Sequence, residues 1–161
     1  MNWFKKYEVG ALLGFGILVF LTAFIGSQFT FSSLGSWYAG INKPSWNPPS
    51  WVFGPVWTLL YIFIAISGWL VWRARHRASV SLLLTIYGIQ LVLNALWSAI
   101  FFGMQNPGLA SAEIVLLWLA IGAYTIIAWR VQRSAALLFL PYWAWVTFAS
   151  VLTFTVAALN P

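Results

Sequence analysis

The chain contains no cysteine, a single histidine and only two acidic residues among its 161 positions. The missing cysteines exclude disulfides, thiolate metal sites and a thiol nucleophile. The one histidine, His76, stands among Arg73, Arg75 and Arg77, a solvated setting, so a haem would lack its usual axial ligands. With Glu8 and Glu113 as the only carboxylates there is no acid pair, and neither a Ser-His pair nor a phosphate loop appears. Conventional acid–base or nucleophilic catalysis therefore has no visible machinery, and no cofactor or metal is expected. Charge is scarce as well. Charged residues make up 6% of the chain, against roughly 25% in a typical soluble domain. A surface cannot be built in water from that inventory, and with 62% hydrophobic residues the solvent must be lipid.

What is present is a series of long apolar runs. About 20 apolar residues cross a bilayer, and five segments qualify: Val9–Gly26, Val52–Trp72, Val80–Phe102, Leu109–Trp129 and Ala135–Ala158. Hydrocarbon leaves backbone groups no partner but one another, so each is a helix. The expected fold class is an all-α membrane protein, one domain over residues 1–161, built as a bundle of five transmembrane helices. Its long first loop, residues 27–51, is read as a lid. The first run also has the basic flank of a signal peptide, but its length and the absence of a clean cleavage site at Gly26-Ser27-Gln28 predict retention.

The cations orient the bundle. Lys5, Lys6, Arg73, Arg75, Arg77, Arg130 and Arg133 fall on one side and Lys43 alone on the other. The positive-inside rule then predicts a cytoplasmic amino terminus with the lid outside; the expected location of this multi-pass protein is the inner membrane of a bacterium. These small clusters between apolar runs do not form the basic face that nucleic acid requires; lipid is the expected partner.

The loop is the most informative stretch. Trp37-Tyr38-Ala39-Gly40-Ile41-Asn42-Lys43-Pro44-Ser45-Trp46-Asn47-Pro48-Pro49-Ser50-Trp51 carries aromatics, prolines and one lysine between two apolar runs. Unstructured connections longer than about 12–15 residues are usually functional. Prolines stiffen their own positions and the residues before them. A stiff aromatic flap over an apolar ligand is expected, with Lys43 on its rim.

Twelve tryptophans need a place. Interfacial belts explain Trp3, Trp69, Trp72 and Trp129, and some of Trp37, Trp46 and Trp51. They do not explain Trp118 and Trp145, about ten residues or roughly 15 Å into their spans. Helical spacing sorts the rest. Gln90, Asn94, Trp97, Ser98 and Phe101 share one stripe of the third span, and an amide there is expected to face the bundle interior or a neighbouring helix. Phe53, Trp57 and Tyr61 form a second stripe; Tyr142, Trp145 and Ala149 form a third. Trp143 and Trp145 point to nearly opposite faces, so only one of them can line a shared cavity.

Asn47 or Ser50 is expected to cap the second helix, and Asn106-Pro107 reads as a cap followed by proline at the first position of the fourth. Pro55 and Pro141 are expected to bend their helices. Gly10 and Gly14, and the row Ala95, Ala99 and Gly103, suit either close packing within the chain or a homodimer. Glu113, about two turns into its span, fits an interfacial structural role.

The blocks Trp37-Tyr38, Lys43-Pro44-Ser45-Trp46-Asn47-Pro48-Pro49 and Phe53-Gly54-Pro55-Val56-Trp57-Thr58-Leu59-Leu60-Tyr61 resemble the signature of the translocator protein family. Its members are also called tryptophan-rich sensory proteins or peripheral benzodiazepine receptors. Asn94-Ala95-Leu96-Trp97-Ser98 and Pro141-Tyr142-Trp143-Ala144-Trp145-Val146-Thr147-Phe148-Ala149 are similar to its third- and fifth-helix motifs, in order, from about Gly26 to Leu159. The resemblance implies a pocket beneath the first loop that binds a porphyrin such as protoporphyrin IX or another flat hydrophobic molecule. Carried over by motif, the ligand-binding residues are Tyr38, Pro48, Trp57, Asn94, Trp97, Trp145 and Ala149. The same resemblance implies either a binding and sensing protein, a light- and oxygen-dependent porphyrin-degrading enzyme with Trp57 and Trp145 as catalytic residues, or a porphyrin or sterol transporter. One departure stands out: after Leu152 the chain has no tyrosine and no basic residue, so the motif proposed for cholesterol contact is missing.

Overall fold

In the computed structural model, residues 2–161 are described, with side chains from Tyr7 onward. The expectations placed on the side chains of Trp3, Lys5 and Lys6 lie outside the described residues. The elements are α1 (Asn2–Leu34), a short α2 (Trp37–Gly40), α3 (Ser50–Ala74), α4 (Ser81–Ser98) continued by a π-helical turn (Ala99–Gly103), α5 (Pro107–Val131) and α6 (Arg133–Leu159). Five of these helices are long and apolar enough to cross a membrane. The protein is an all-α, five-helix membrane bundle.

The first helix outruns its expected end by eight residues, from Gly26 to Leu34. Polar residues that suggested a loop are absorbed by the helix itself. Ser27, Thr30 and Ser32 each donate their hydroxyl to a backbone carbonyl three or four residues earlier. This back-bonding satisfies those three hydroxyls within the helix. Gly26 does not terminate the helix but lets α4 come close: a Cβ there would lie 3.2 Å from Ser98 Oγ. The lid thus shrinks to α2 and the irregular stretch Ile41–Pro49.

The cap expectations divide. Asn106 Oδ1 accepts from the Leu109 N–H at 2.9 Å, with Pro107 at the first position of α5. The start of α3 has no side-chain cap. Asn47 is engaged instead within the loop, accepting from the Tyr38 hydroxyl and donating to the Pro48 carbonyl. Pro55 and Pro141 both sit inside continuous helices.

The end of the bundle away from the loop is solid. Tyr87, Tyr124 and Phe139 are buried together, with Tyr124 and Phe139 ring centroids 4.1 Å apart. Ser67 donates to the Ala135 carbonyl and accepts from the Tyr124 hydroxyl at 3.0 Å, while the Tyr87 hydroxyl donates to the Ile64 carbonyl. Gly68 permits this density, since a Cβ on it would fall 2.6 Å from the Tyr87 ring and 2.8 Å from Phe15. Arginines at this end lie over tryptophans, Arg75 over Trp72 at 3.3 Å and Arg73 over Trp69 at 4.7 Å. Arg73 also pairs with Glu8 at 3.1 Å. Such stacking holds a guanidinium at the depth of an interfacial indole.

Candidate functional site

At the loop end the helices do not close on one another. A cavity of about 320 Å³ lies between α1, α3, α4 and α6 beneath α2, within the range of about 300–1,000 Å³ usual for small-molecule sites. The stripes read from the sequence converge on it. α3 contributes Phe53, Trp57 and Tyr61; α4 contributes Asn94, Trp97 and Ser98; α6 contributes Trp145 and Ala149. Tyr38 of α2 closes the top. Pro48 is not among the lining residues; its carbonyl accepts from the Asn47 side chain. The two neighbouring tryptophans of α6 do face apart: Trp145 lines the cavity, whereas Trp143 packs on α5, against Trp118 at 5.3 Å and over Gly122.

The walls are aromatic. Trp97 stacks on Phe101 with centroids 5.0 Å apart and planes 20° apart. Phe53 meets Trp145 edge-on at 5.9 Å, and Trp57 lies 5.2 Å from Tyr61 and 6.2 Å from Tyr142. The π turn shapes the upper wall. Its wider winding brings both Phe101 and Phe102 against the Tyr38 ring, at 6.2 and 5.6 Å. The Phe102 carbonyl, displaced from regular α-helical pairing, accepts from Ser33 Oγ of α1 at 2.6 Å.

Polar groups are few and mostly engaged with one another. Tyr61 donates to Asn94 Oδ1 at 2.8 Å; Asn94 Nδ2 donates to the Tyr142 hydroxyl at 3.0 Å; Tyr142 donates to Gln90 Oε1 at 3.1 Å. This chain carries the polarity of the cavity floor down into the core and holds Asn94 in one orientation. Gln90 Nε2 and Trp97 Nε1 are buried and unpartnered among the described residues. Glu113 is buried too, 5% exposed, with neither carboxyl oxygen hydrogen-bonded among the described residues. It does not line the cavity.

Lys43 has a structural post. Its ammonium donates to the carbonyls of Tyr38 at 2.6 Å, Ile41 at 2.8 Å and Ala39 at 3.4 Å, and lies 5.0 Å from the Tyr38 ring centroid. An ammonium has three donors, so this lysine ties off α2 and is not free at the rim. Burial pushes the Tyr38 phenol above its ordinary pKa, and the bond to Asn47 opposes that shift in part.

The sequence missed the contribution of α1. Ala23, Gly26, Ser27, Thr30 and Phe31 form the remaining wall. Their spacing of three, one, three and one is a helical stripe, hidden in the sequence because its polar members, Ser27 and Thr30, read as loop. Leu117 and Ile114 of α5 lie below.

Five membrane-length helices around an aromatic-walled cavity define a multi-pass membrane protein able to enclose an apolar small molecule. The chain belongs to the TspO/MBR family, whose model matches residues 15–159. It is 42% identical over 151 residues to the tryptophan-rich protein TspO of Chlorobaculum tepidum, covering 89% of this chain and 92% of that one. It is 39% identical over 148 residues to the translocator protein of Homo sapiens, covering 89% and 86%. It is 36% identical over 124 residues to the tryptophan-rich sensory protein of Cereibacter sphaeroides, covering 77% of each chain.

Proposed function

We propose that this protein binds and senses porphyrin-like ligands in the cavity beneath α2. The observation that carries the reading is the convergence of Trp57, Trp97 and Trp145, from three different helices, on one apolar space. A flat macrocycle gains both area burial and ring stacking from such walls. The name tryptophan-rich sensory protein, borne by the Cereibacter sphaeroides relative, agrees with a sensing role. The cytoplasmic amino terminus and inner-membrane location stay part of this proposal, resting on the basic clusters. So does a homodimer, for which the Gly10 and Gly14 row is open: a Cβ at either meets nothing within 4 Å. Titration of purified protein in nanodiscs with protoporphyrin IX should quench tryptophan fluorescence saturably. Linear, unsaturable quenching equal to that of protein-free nanodiscs would refute the reading.

A second reading, photo-oxidative degradation of the bound pigment, is favoured by the placement of Trp57 and Trp145 on the same cavity. Bleaching under light should then be slower in Trp57→Phe and Trp145→Phe, each still binding in the dark. Equal rates in wild type, variants and empty nanodiscs leave a binding protein alone.

A further inference from the structure

We propose that ligands reach the cavity sideways from the membrane, through an opening between α1 and α3 in the loop-side leaflet, and not by lifting of the loop. This rests on the reading of the cavity as the binding site.

The helix α1 changes partner along its length. Towards its amino terminus it leans on α3: the Trp69 indole donates to the Glu8 carbonyl at 3.0 Å, Arg73 pairs with Glu8, and Phe15 lies over Gly68. Towards its carboxyl end it leans on α4 instead. Gly26 abuts Ser98, Phe29 covers Gly103, and Ser33 grips the Phe102 carbonyl. A straight rod held by one neighbour below and another above diverges from the first, and the cavity occupies the gap. The lining shows that the gap reaches the outside. Phe31 and Trp51, which both border the cavity, are 74% and 75% exposed, and Gly54 beside them is exposed as well. On a membrane span that exposed flank faces lipid.

The top is fastened. The Asn42 N–H donates to Asn160 Oδ1 and Asn160 Nδ2 donates back to the Asn42 carbonyl, each at 2.9 Å. Asn42 Nδ2 adds a bond to the Leu159 carbonyl at the end of α6. Lys43 and Asn47 cross-tie the loop to α2. The lid therefore moves as one tied unit, and raising it breaks the Asn42 bonds to the end of α6. The lateral path instead crosses apolar side chains and the Ser27 and Thr30 hydroxyls already bonded within α1. The ligand class follows: molecules that partition into the bilayer before they bind.

The test uses the full chain in nanodiscs, stopped-flow mixing with protoporphyrin IX, and tryptophan quenching as the readout. Gly54→Phe plugs the opening, and a Cβ there meets nothing within 4 Å, so the helix accepts it. Asn42→Cys with Asn160→Cys, joined by a short bis-maleimide, locks the loop; the chain has no other cysteine to react. The plug should slow association and dissociation together by about tenfold, because a gate raises the barrier between states, while the locked loop associates at the wild-type rate. Slow association in the locked loop, or unchanged association in Gly54→Phe with its thermal melt intact, overturns the lateral route. An unaltered protein that never quenches saturably fails the binding reading itself, and the route with it. Gly54→Ala, too small to plug the gap, separates obstruction from loss of glycine and should associate at the wild-type rate.

Discussion

The two ends of this bundle are both rich in aromatic rings and use them oppositely. At the arginine end rings meet rings, Tyr124 on Phe139 at 4.1 Å, but small residues sit beside them. Tyr87 lies over Gly68, and Tyr124 bonds Ser67 near the fully buried Ala135 and Ala128. Rings against small residues interdigitate and leave no void. At the loop end rings face rings, Trp97 on Phe101, Phe53 against Trp145, Trp57 against Tyr142. There α1 leaves α3 for α4, so no neighbouring helix closes over the rings and a cavity remains. Both ends draw on the same apolar and aromatic residue types, so composition does not tell them apart. The small residues beside the rings and the path of α1 decide which end is solid core and which holds the cavity.

The sharpest way to break this comparison is to truncate one ring in each end. Phe139→Ala in the solid end should cost about 3–5 kcal/mol of unfolding free energy. Trp145→Ala borders empty space already, so its stability loss should be far smaller, while protoporphyrin IX affinity falls about tenfold or more. Denaturant titration in detergent, paired with quenching titrations, measures both. Similar stability losses would erase the distinction between core and site.

Adding a methyl reverses the test. Gly68→Ala should destabilise by about 1–3 kcal/mol, since a Cβ would sit 2.6 Å from the Tyr87 ring. Gly54→Ala meets open space and should shift stability by less than about 0.5 kcal/mol. Thermal melts in one detergent compare the two directly. Ala149→Leu, which fills the cavity from α6, should weaken porphyrin binding by about tenfold without loss of stability. A variant that binds as wild type would place the ligand elsewhere.

The smallest expected effect concerns the loop. Folding raises the Tyr38 pKa, so the folded chain keeps that proton where the unfolded chain releases it. The resulting stability is whole below about pH 10, the unfolded value, and declines as pH rises through the higher folded value. Hydrogen exchange should therefore show α2 loosening at alkaline pH before the arginine end does. In Tyr38→Phe, which loses the bond to Asn47 at a cost of about 0.5–1.5 kcal/mol, the pH-dependent part should vanish.

Much of this was legible in the chain itself. Five spans follow from apolar runs and the scarcity of charge, because lipid permits only backbone that satisfies itself. The stripes of α3, α4 and α6 were readable because a polar or aromatic residue every three or four positions marks the inward face. Asn94 betrays its side of the helix by being an amide in hydrocarbon. That Trp143 and Trp145 part company follows from the hundred-degree step of any helix.

Other features depended on contacts distant in sequence. The end of α1 was unreadable because Ser27, Thr30 and Ser32 look like loop residues until their hydroxyls fold back on the helix. Lys43 looked like a free rim cation, and only the curl of α2 presents the carbonyls that engage it. The cavity itself arises where α1 leaves α3 for α4, a choice made by Gly26 meeting Ser98 and Ser33 meeting Phe102, 69 residues apart. Periodicity along one helix tells which face turns inward. Whether inward means core or cavity depends on what the opposite helix presents at the same height, and only the assembled bundle brings those residues together.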